Sequence, residues 1–303
     1  MKKAILFLCL TFIALAENCT FGQLTAYPWT MNVKVIDEDG NPVVGADAAV
    51  SYNLLSPSGQ SGKGISWDEI TGLTDDNGMF SASHTDASWT LGVAINKNGY
   101  YVTHLGHQLD GKADSPSRNS ALTLLLKRIG KPIPMYAKSI TYIKFPILNK
   151  PVGYDLTVGD WVAPYGKGAN ADFLFTQTHT DEKSGYILTV NFSNSGDGIQ
   201  VTSTNRNLGV SGLLSPHQAP IDGYQPEYDQ TQIPNPSQIY LFRVRTVLDA
   251  NGNVKSALYG KIYGDFMQFK YYLNPTPNDR NIEFDPKNNL LGGLESYEQV
   301  DAP

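Results

Sequence analysis

"YLFRVRTVLDANGNVKSALYGKIY", residues 240–263, decides the fold class. Tyr240, Phe242, Val244 and Thr246 alternate with Leu241, Arg243, Arg245 and Val247; beyond Asp249-Ala250-Asn251-Gly252-Asn253, Ala257, Tyr259, Lys261 and Tyr263 alternate with Leu258, Gly260 and Ile262. A period of two belongs to a strand, whose successive side chains leave on opposite faces. Asn-Gly between two such runs supplies the positive φ angles of a tight turn. The stretch reads as an antiparallel hairpin. Arg243 and Arg245 fall on one face of its first strand. Lys261 is expected on a solvated sheet face rather than lining an anion site, because charge on a strand is usually exposed.

The same pattern extends in both directions. Residues 140–145, 186–192 and 266–273 read as further strands, and no amphipathic helix interrupts them. Nearer the start, Met31, Val33 and Val35 lead into Asp37-Glu38-Asp39-Gly40-Asn41, and Thr74-Asp75-Asp76-Asn77-Gly78 leads into Met79-Phe80. Asp, Asn and Gly are what tight turns require. A Ca²⁺ loop of the EF-hand type would need more oxygen ligands in a different register, so Asp37, Asp39 and Asn41 read as turn residues. About seven short strands between such turns predict a β-sandwich over residues 29–128. Lys131-Pro132-Ile133-Pro134 marks a boundary, since two prolines in three residues hold the chain extended. Residues 132–291 are expected to form a second, antiparallel β-sandwich-like domain, and 292–303 a flexible acidic tail. The predicted fold class is all-β.

Two resemblances attach to these residues. "VKVIDEDGNPVVGADAAV", "GLTDDNGMFSA" and "LGVAINKNGYY" resemble the carboxypeptidase regulatory-like domain, a transthyretin-like or prealbumin-like sandwich found in secreted bacterial proteins. That resemblance implies a fold and an accessory role without catalytic residues. "GYDLTVGDWVAPYGKG", "SPHQAPIDGYQPEY" and "YYLNPTPNDRNIEFDPKNNL" resemble a group of secreted bacterial proteins that carry this domain in front, and bring no activity with them.

Lys2 and Lys3, the apolar run Ala4–Ala14 and the small-x-small step Ala14-Leu15-Ala16 form a secretory signal peptide over residues 1–16. No later run is long enough to span a bilayer as a helix. Of the two cysteines only Cys19 follows the cleavage site, which leaves no intrachain disulfide. Glu17 and Asn18 stand where a lipoprotein signal places small residues, so lipidation of Cys19 is disfavoured. A net charge of -6 with 17% charged residues gives no electrostatic footprint for nucleic acid. The expected location is periplasmic or extracellular.

The motifs that would carry chemistry fail on context. "WVAPYGKGANADFLF", residues 161–175, has glycines and a lysine but no helix after them to face a phosphate. His104-Leu105-Gly106-His107 has only His84 or Asp110 nearby as a third metal ligand. Gly209-Val210-Ser211-Gly212 misses the nucleophile elbow by one residue. No catalytic residue, metal or cofactor is expected. From Ser215 to Gln238 the chain is stiffened by Pro216, Pro220, Pro226, Pro234 and Pro236. It reads either as a covering loop packed over the sheet or as a surface presenting His217, Tyr224 and Tyr228. With Trp161 and Tyr165 these are the candidate ligand-binding residues. The functional expectation is a non-catalytic binding or scaffold protein of the cell envelope, engaging glycan or another envelope protein. The competing class is a secreted hydrolase acting on polysaccharide.

Overall fold

The computed structural model describes residues 25–54, 66–179, 185–230 and 237–303. Residues 1–16, read from sequence as a signal peptide, and Cys19, Pro234 and Pro236 lie outside them. Among the described residues the regular structure is strand, apart from three-residue 3₁₀ turns at Pro116–Arg118 and Arg206–Leu208, and the fold class is all-β as the alternation predicts. The chain divides into two compact units. One holds the described residues up to Lys97 with His104–Leu124, and the other holds Asn98–Thr103 with Leu125–Pro303.

In the first unit the strands are β1 (Tyr27–Ile36), β2 (Asp47–Leu54), β3 (Ser66–Leu73), β4 (Met79–Asp86), β5 (Thr90–Asn96), β6 (Thr103–Gln108) and β7 (Asn119–Leu125). One sheet has the order β4-β1-β7, and in the other β6, β5, β2 and β3 follow one another. Every second residue of β1, from Trp29 to Val35, is buried, as are Val50 and Tyr52 on β2 and Leu91, Val93 and Ile95 on β5. The Trp29 and Tyr52 rings, 5.8 Å apart, join the two inner faces. Asp37 and Asp75 build the same turn. Each carboxylate accepts from the amides two and four residues on, Asp39 and Asn41 in one case and Asn77 and Met79 in the other. Gly40 and Gly78 take the positive φ that closes the turns.

The second unit contains β8 (Ile133–Ile140), β9 (Val152–Asp155), β10 (Asp160–Trp161), β11 (Phe173–His179), β12 (Tyr186–Asn191), β13 (Gly198–Ser203), β14 (Val210–Ser211), β15 (Glu227–Gln230), β16 (Gln238–Leu248), β17 (Val254–Gly264), β18 (Phe269–Leu273) and β19 (Phe284–Asn289). A six-stranded sheet, β13-β16-β17-β18-β8-β19, packs on a five-stranded sheet, β10-β9-β11-β12-β15. Pairing is antiparallel except between β19 and β8, which run parallel. Between the sheets lies an aromatic core in which Phe173 meets Phe242 at 5.0 Å and Tyr240 meets Phe266 at 4.7 Å.

The hairpin at 240–263 is present, with Asp249 capping the turn as Asp37 and Asp75 do. Two details depart from the alternation. The sheet is covered on its second face as well, by clusters around Ala219, Ile239, Leu241 and Tyr259 and around Met135, Tyr272, Phe284 and Val300. Lys261, expected in solvent, is consequently fully buried. Nor do Arg243 and Arg245 share a regular face, because the register slips after Val244 and Arg245 adopts φ 55°. The amides freed by this bulge, those of Arg245 and Thr246, donate to Asp197 at 3.1 and 2.7 Å. Residues 292–303, expected as a flexible tail, are docked. Val300 is buried, Ser139 N donates to Glu298 O at 2.8 Å, and Tyr272 Oη donates to Ala302 O at 3.1 Å.

Gly78 combines φ 72° with no room for a Cβ, which would lie 2.5 Å from Val35 O and 3.1 Å from Val43 N. Gly78→Ala is expected to destabilise the first unit by about 1–3 kcal/mol in urea unfolding, through left-handed backbone strain and a clash with the β1 main chain.

Candidate functional site

An open cleft of about 280 Å³ lies in the second unit, where the end of β8 and residues 141–144 face the β9–β10 hairpin and the C-terminal segment. Its lining includes the buried aromatics Tyr154 and Trp161, which pack edge to face at 5.3 Å. Two further tyrosines line it and are open to solvent, Tyr142 at 71% and Tyr297 at 61% exposure. The same lining carries charged groups of both signs. Lys138 Nζ pairs with Glu298 Oε1 at 2.8 Å and donates to Gly159 O at 2.9 Å. Asp160 Oδ1 accepts from Trp161 N at 2.8 Å and Oδ2 from Lys167 N at 2.9 Å. The Lys138 ammonium holds the Glu298 carboxyl below its ordinary value.

The glycine-rich stretch at 161–175 does cradle an anion, and the anion is the protein's own. Lys167 N donates to Asp160, and Ala169 N and Asn170 N both donate to Asp155 Oδ2 at 3.0 Å. A Cβ on Gly168 would lie 2.8 Å from Asp155 Cβ, so glycine permits the close wrap. Asp155 Oδ1 also accepts from Thr157 and from Arg245, whose guanidinium clasps Asp172 through Nε at 2.7 Å and NH2 at 2.9 Å. Burial would raise the Asp155 pKa, but the amides of Asn170, Ala169 and Thr157 and the Thr157 hydroxyl outweigh it and hold the carboxyl below its usual range.

A second polar cluster lies under the covering loop. Glu283 accepts from Tyr101 Oη at 2.7 Å, from Gly130 N at 3.0 Å and from the His217 ring at 2.6 Å. An ionised carboxylate only accepts, so Nδ1 carries the proton of that last bond. Burial works against the charge of Glu283, yet these donors hold its pKa below 4.5. Lys261 Nζ lies 3.2 Å from Ser215 Oγ and 4.8 Å from the centre of the Tyr272 ring. Its pKa is pushed well down, chiefly by burial, with Glu283 opposing. Ser215 is itself fully buried.

The five residues singled out from sequence do not converge. Trp161 lines the cleft. Tyr165, 46% exposed, stands on the loop beyond it. His217 and Tyr224 belong to the covering loop, where Tyr224 donates to Pro220 O and lies 4.8 Å under the Arg243 guanidinium. Tyr228 is on β15 and packs into the aromatic core with its hydroxyl 3.1 Å from that of Tyr240. His104 and His107 lie on β6, where His107 Nε2 meets Ser117 O and Ser120 Oγ. Among the described residues no three His, Cys, Asp or Glu side chains are grouped so as to hold a metal ion, and no helix is long and apolar enough to cross a membrane. Sequence reasoning missed Tyr142, Asp160 and Tyr297 as a group, and missed Glu283 as the partner of His217. The only signal for the latter was that both lie in non-repetitive, proline-bearing chain, 66 residues apart.

The chain matches no protein-family model, and no curated protein matches it. Solved structures that are similar include the 3-chlorocatechol 1,2-dioxygenase of Rhodococcus opacus 1CP, 12% identical over 36% of this chain and 63% of that one with a TM-score of 0.26. The shaft pilin spaA of Lactobacillus rhamnosus GG is 15% identical over 57% of this chain and 90% of that one, with a TM-score of 0.24. A streptococcal ancillary pilin is 13% identical over 89% and 63%, with a TM-score of 0.21. The chain spans 63% of the length of the two chlorocatechol dioxygenases it matches. Likeness at this level transfers no activity, partner or assembly.

Because the Glu283 pKa is lowered on folding, its stabilisation is present above pH 4.5 and is lost as the pH falls through the folded-state value. Glu283→Gln is expected to cost about 1–3 kcal/mol at neutral pH. It should also flatten the acid limb of stability against pH, read by urea unfolding across that range.

Proposed function

We propose that this chain is an exported, non-catalytic binding or scaffold protein of the cell envelope, which engages glycan or another envelope protein through the second unit. The observation that carries the reading is the cleft, where two exposed tyrosines, paired charges and buried aromatic side chains share one lining. Other ionisable groups of the unit hold it together, as in the Asp155–Asp172–Arg245 clasp and the Tyr101–Glu283–His217 set. The motifs of the first unit support an accessory sandwich of the carboxypeptidase regulatory-like kind, and Lys2 to Ala16 support export.

A secreted hydrolase acting on polysaccharide is the second reading, and the contact between His217 and Glu283 favours it. Against it, the Glu283 carboxylate is held ionised by three donors and so has no proton to give as a general acid.

Expression in a bacterial host followed by fractionation is expected to place the protein outside the cytoplasm, with a mature N-terminus at Glu17. The purified mature protein should retain an envelope component in a pull-down and leave polysaccharides uncleaved. A cytoplasmic, uncleaved chain would defeat the export reading. Hydrolysis abolished by His217→Ala would replace the binding reading with the enzymatic one.

A further inference from the structure

We propose that the cleft between residues 138–144 and the β9–β10 hairpin is a binding site for a short, uncharged sugar, with Tyr142 and Tyr297 as its stacking faces. The inference rests on the binding reading above and deepens it. Charge decides the class of ligand. In the lining Lys138 and Lys144 are matched by Asp160 and Glu298, and Lys138 and Glu298 already neutralise each other. An anionic ligand would meet two carboxylates and a cationic one two ammonium groups, so neither gains the single-signed field that charged ligands exploit. A polyhydroxyl ligand needs donors and acceptors side by side, because each sugar hydroxyl both gives and takes a hydrogen bond.

The cleft offers both. Each Asp160 oxygen accepts one backbone amide and keeps lone-pair capacity. The Lys138 ammonium has three protons, of which Gly159 O and Glu298 Oε1 take two. The tyrosines supply the rest of the recognition. Tyr240, Tyr271 and Tyr272, in the same unit, are buried, whereas Tyr142 and Tyr297 reach solvent at one cleft from chain positions 155 residues apart (297 − 142). A phenol ring presents an apolar face for the C–H side of a pyranose and a polar tip for its hydroxyls. The floor is fixed in advance, since Trp161 and Tyr154 are locked edge to face in the core, which lowers the ordering cost of binding. At 280 Å³ the cleft lies near the lower end of the roughly 300–1,000 Å³ of small-molecule sites, which suits a mono- or disaccharide end rather than a buried polymer stretch.

The test is a titration of the purified protein, followed by tryptophan fluorescence and calorimetry, with glucose, galactose, mannose, N-acetylglucosamine, maltose, cellobiose and chitobiose. Glucuronate and glucosamine serve as charged counterparts. At least one neutral sugar is expected to bind with a dissociation constant of about 1 mM or below. Tyr142→Ala and Tyr297→Ala should each weaken it about tenfold, while Tyr142→Phe keeps most of the affinity. Both tyrosines are exposed, so the variants should melt as the parent does. No binding by any neutral sugar, binding only by a charged counterpart, or binding that survives Tyr142→Ala with Tyr297→Ala would each overturn the proposal. An envelope pull-down with the unsubstituted protein separates the two readings. Capture by a protein that binds no neutral sugar sinks the sugar site and leaves the scaffold reading standing.

Discussion

A sheet with apolar side chains on both faces must be covered on both, and the hairpin of β16 and β17 imposes this on the whole second unit. Phe242, Val244 and Ile262 pack toward the five-stranded sheet, while Leu241, Ala257 and Tyr259 point the other way. The five-stranded sheet satisfies the first set. The second is covered by the proline-bearing segment after β14, by Ile282 with the start of β19 at Phe284, and by the C-terminal residues. At roughly 25 cal/mol per Å² of apolar surface removed from water, covering that second face offsets part of the cost of ordering these segments.

Covering the second face buries polar groups, and the fold answers with internal partners. Lys261 is set between tyrosine rings beside Ser215. Glu283 is given three donors from three parts of the chain. The acids elsewhere play the same part in reverse, as anions that gather loose amides. Asp155 and Asp160 hold the 166–170 loop, Asp197 holds the bulge in β16, and Asp37, Asp75 and Asp249 close hairpin turns. The cleft differs in that its floor is rigid core while its tyrosines and part of its polar capacity remain open.

Strands and turns were legible because they depend on near neighbours. Alternation over Tyr240–Val244, Asp-x-Asn-Gly-Asn at 249–253 and Asp-x-x-Gly at 37–40 and 75–78 are local patterns, and each forms the element its residues require. Trp161 could be singled out as an aromatic beside a turn. Tyr142 and Tyr297 could not, since one follows a strand and the other stands in a tail of apparently solvated acids. Only the docking of that tail through Val300 and Glu298 brings them to one cleft. The pairing of His217 with Glu283 was invisible for the same reason.

By itself, then, the sequence determined an all-β fold class and the positions of its turns. These follow from backbone preferences and side-chain period, which act over a few residues. The tertiary structure alone decided that Lys261 is buried, that the glycine-rich loop closes on Asp155 and Asp160, and that two distant tyrosines share a cleft. Burial and electrostatic pairing are properties of the space around a side chain, and that space is filled by segments far away along the chain.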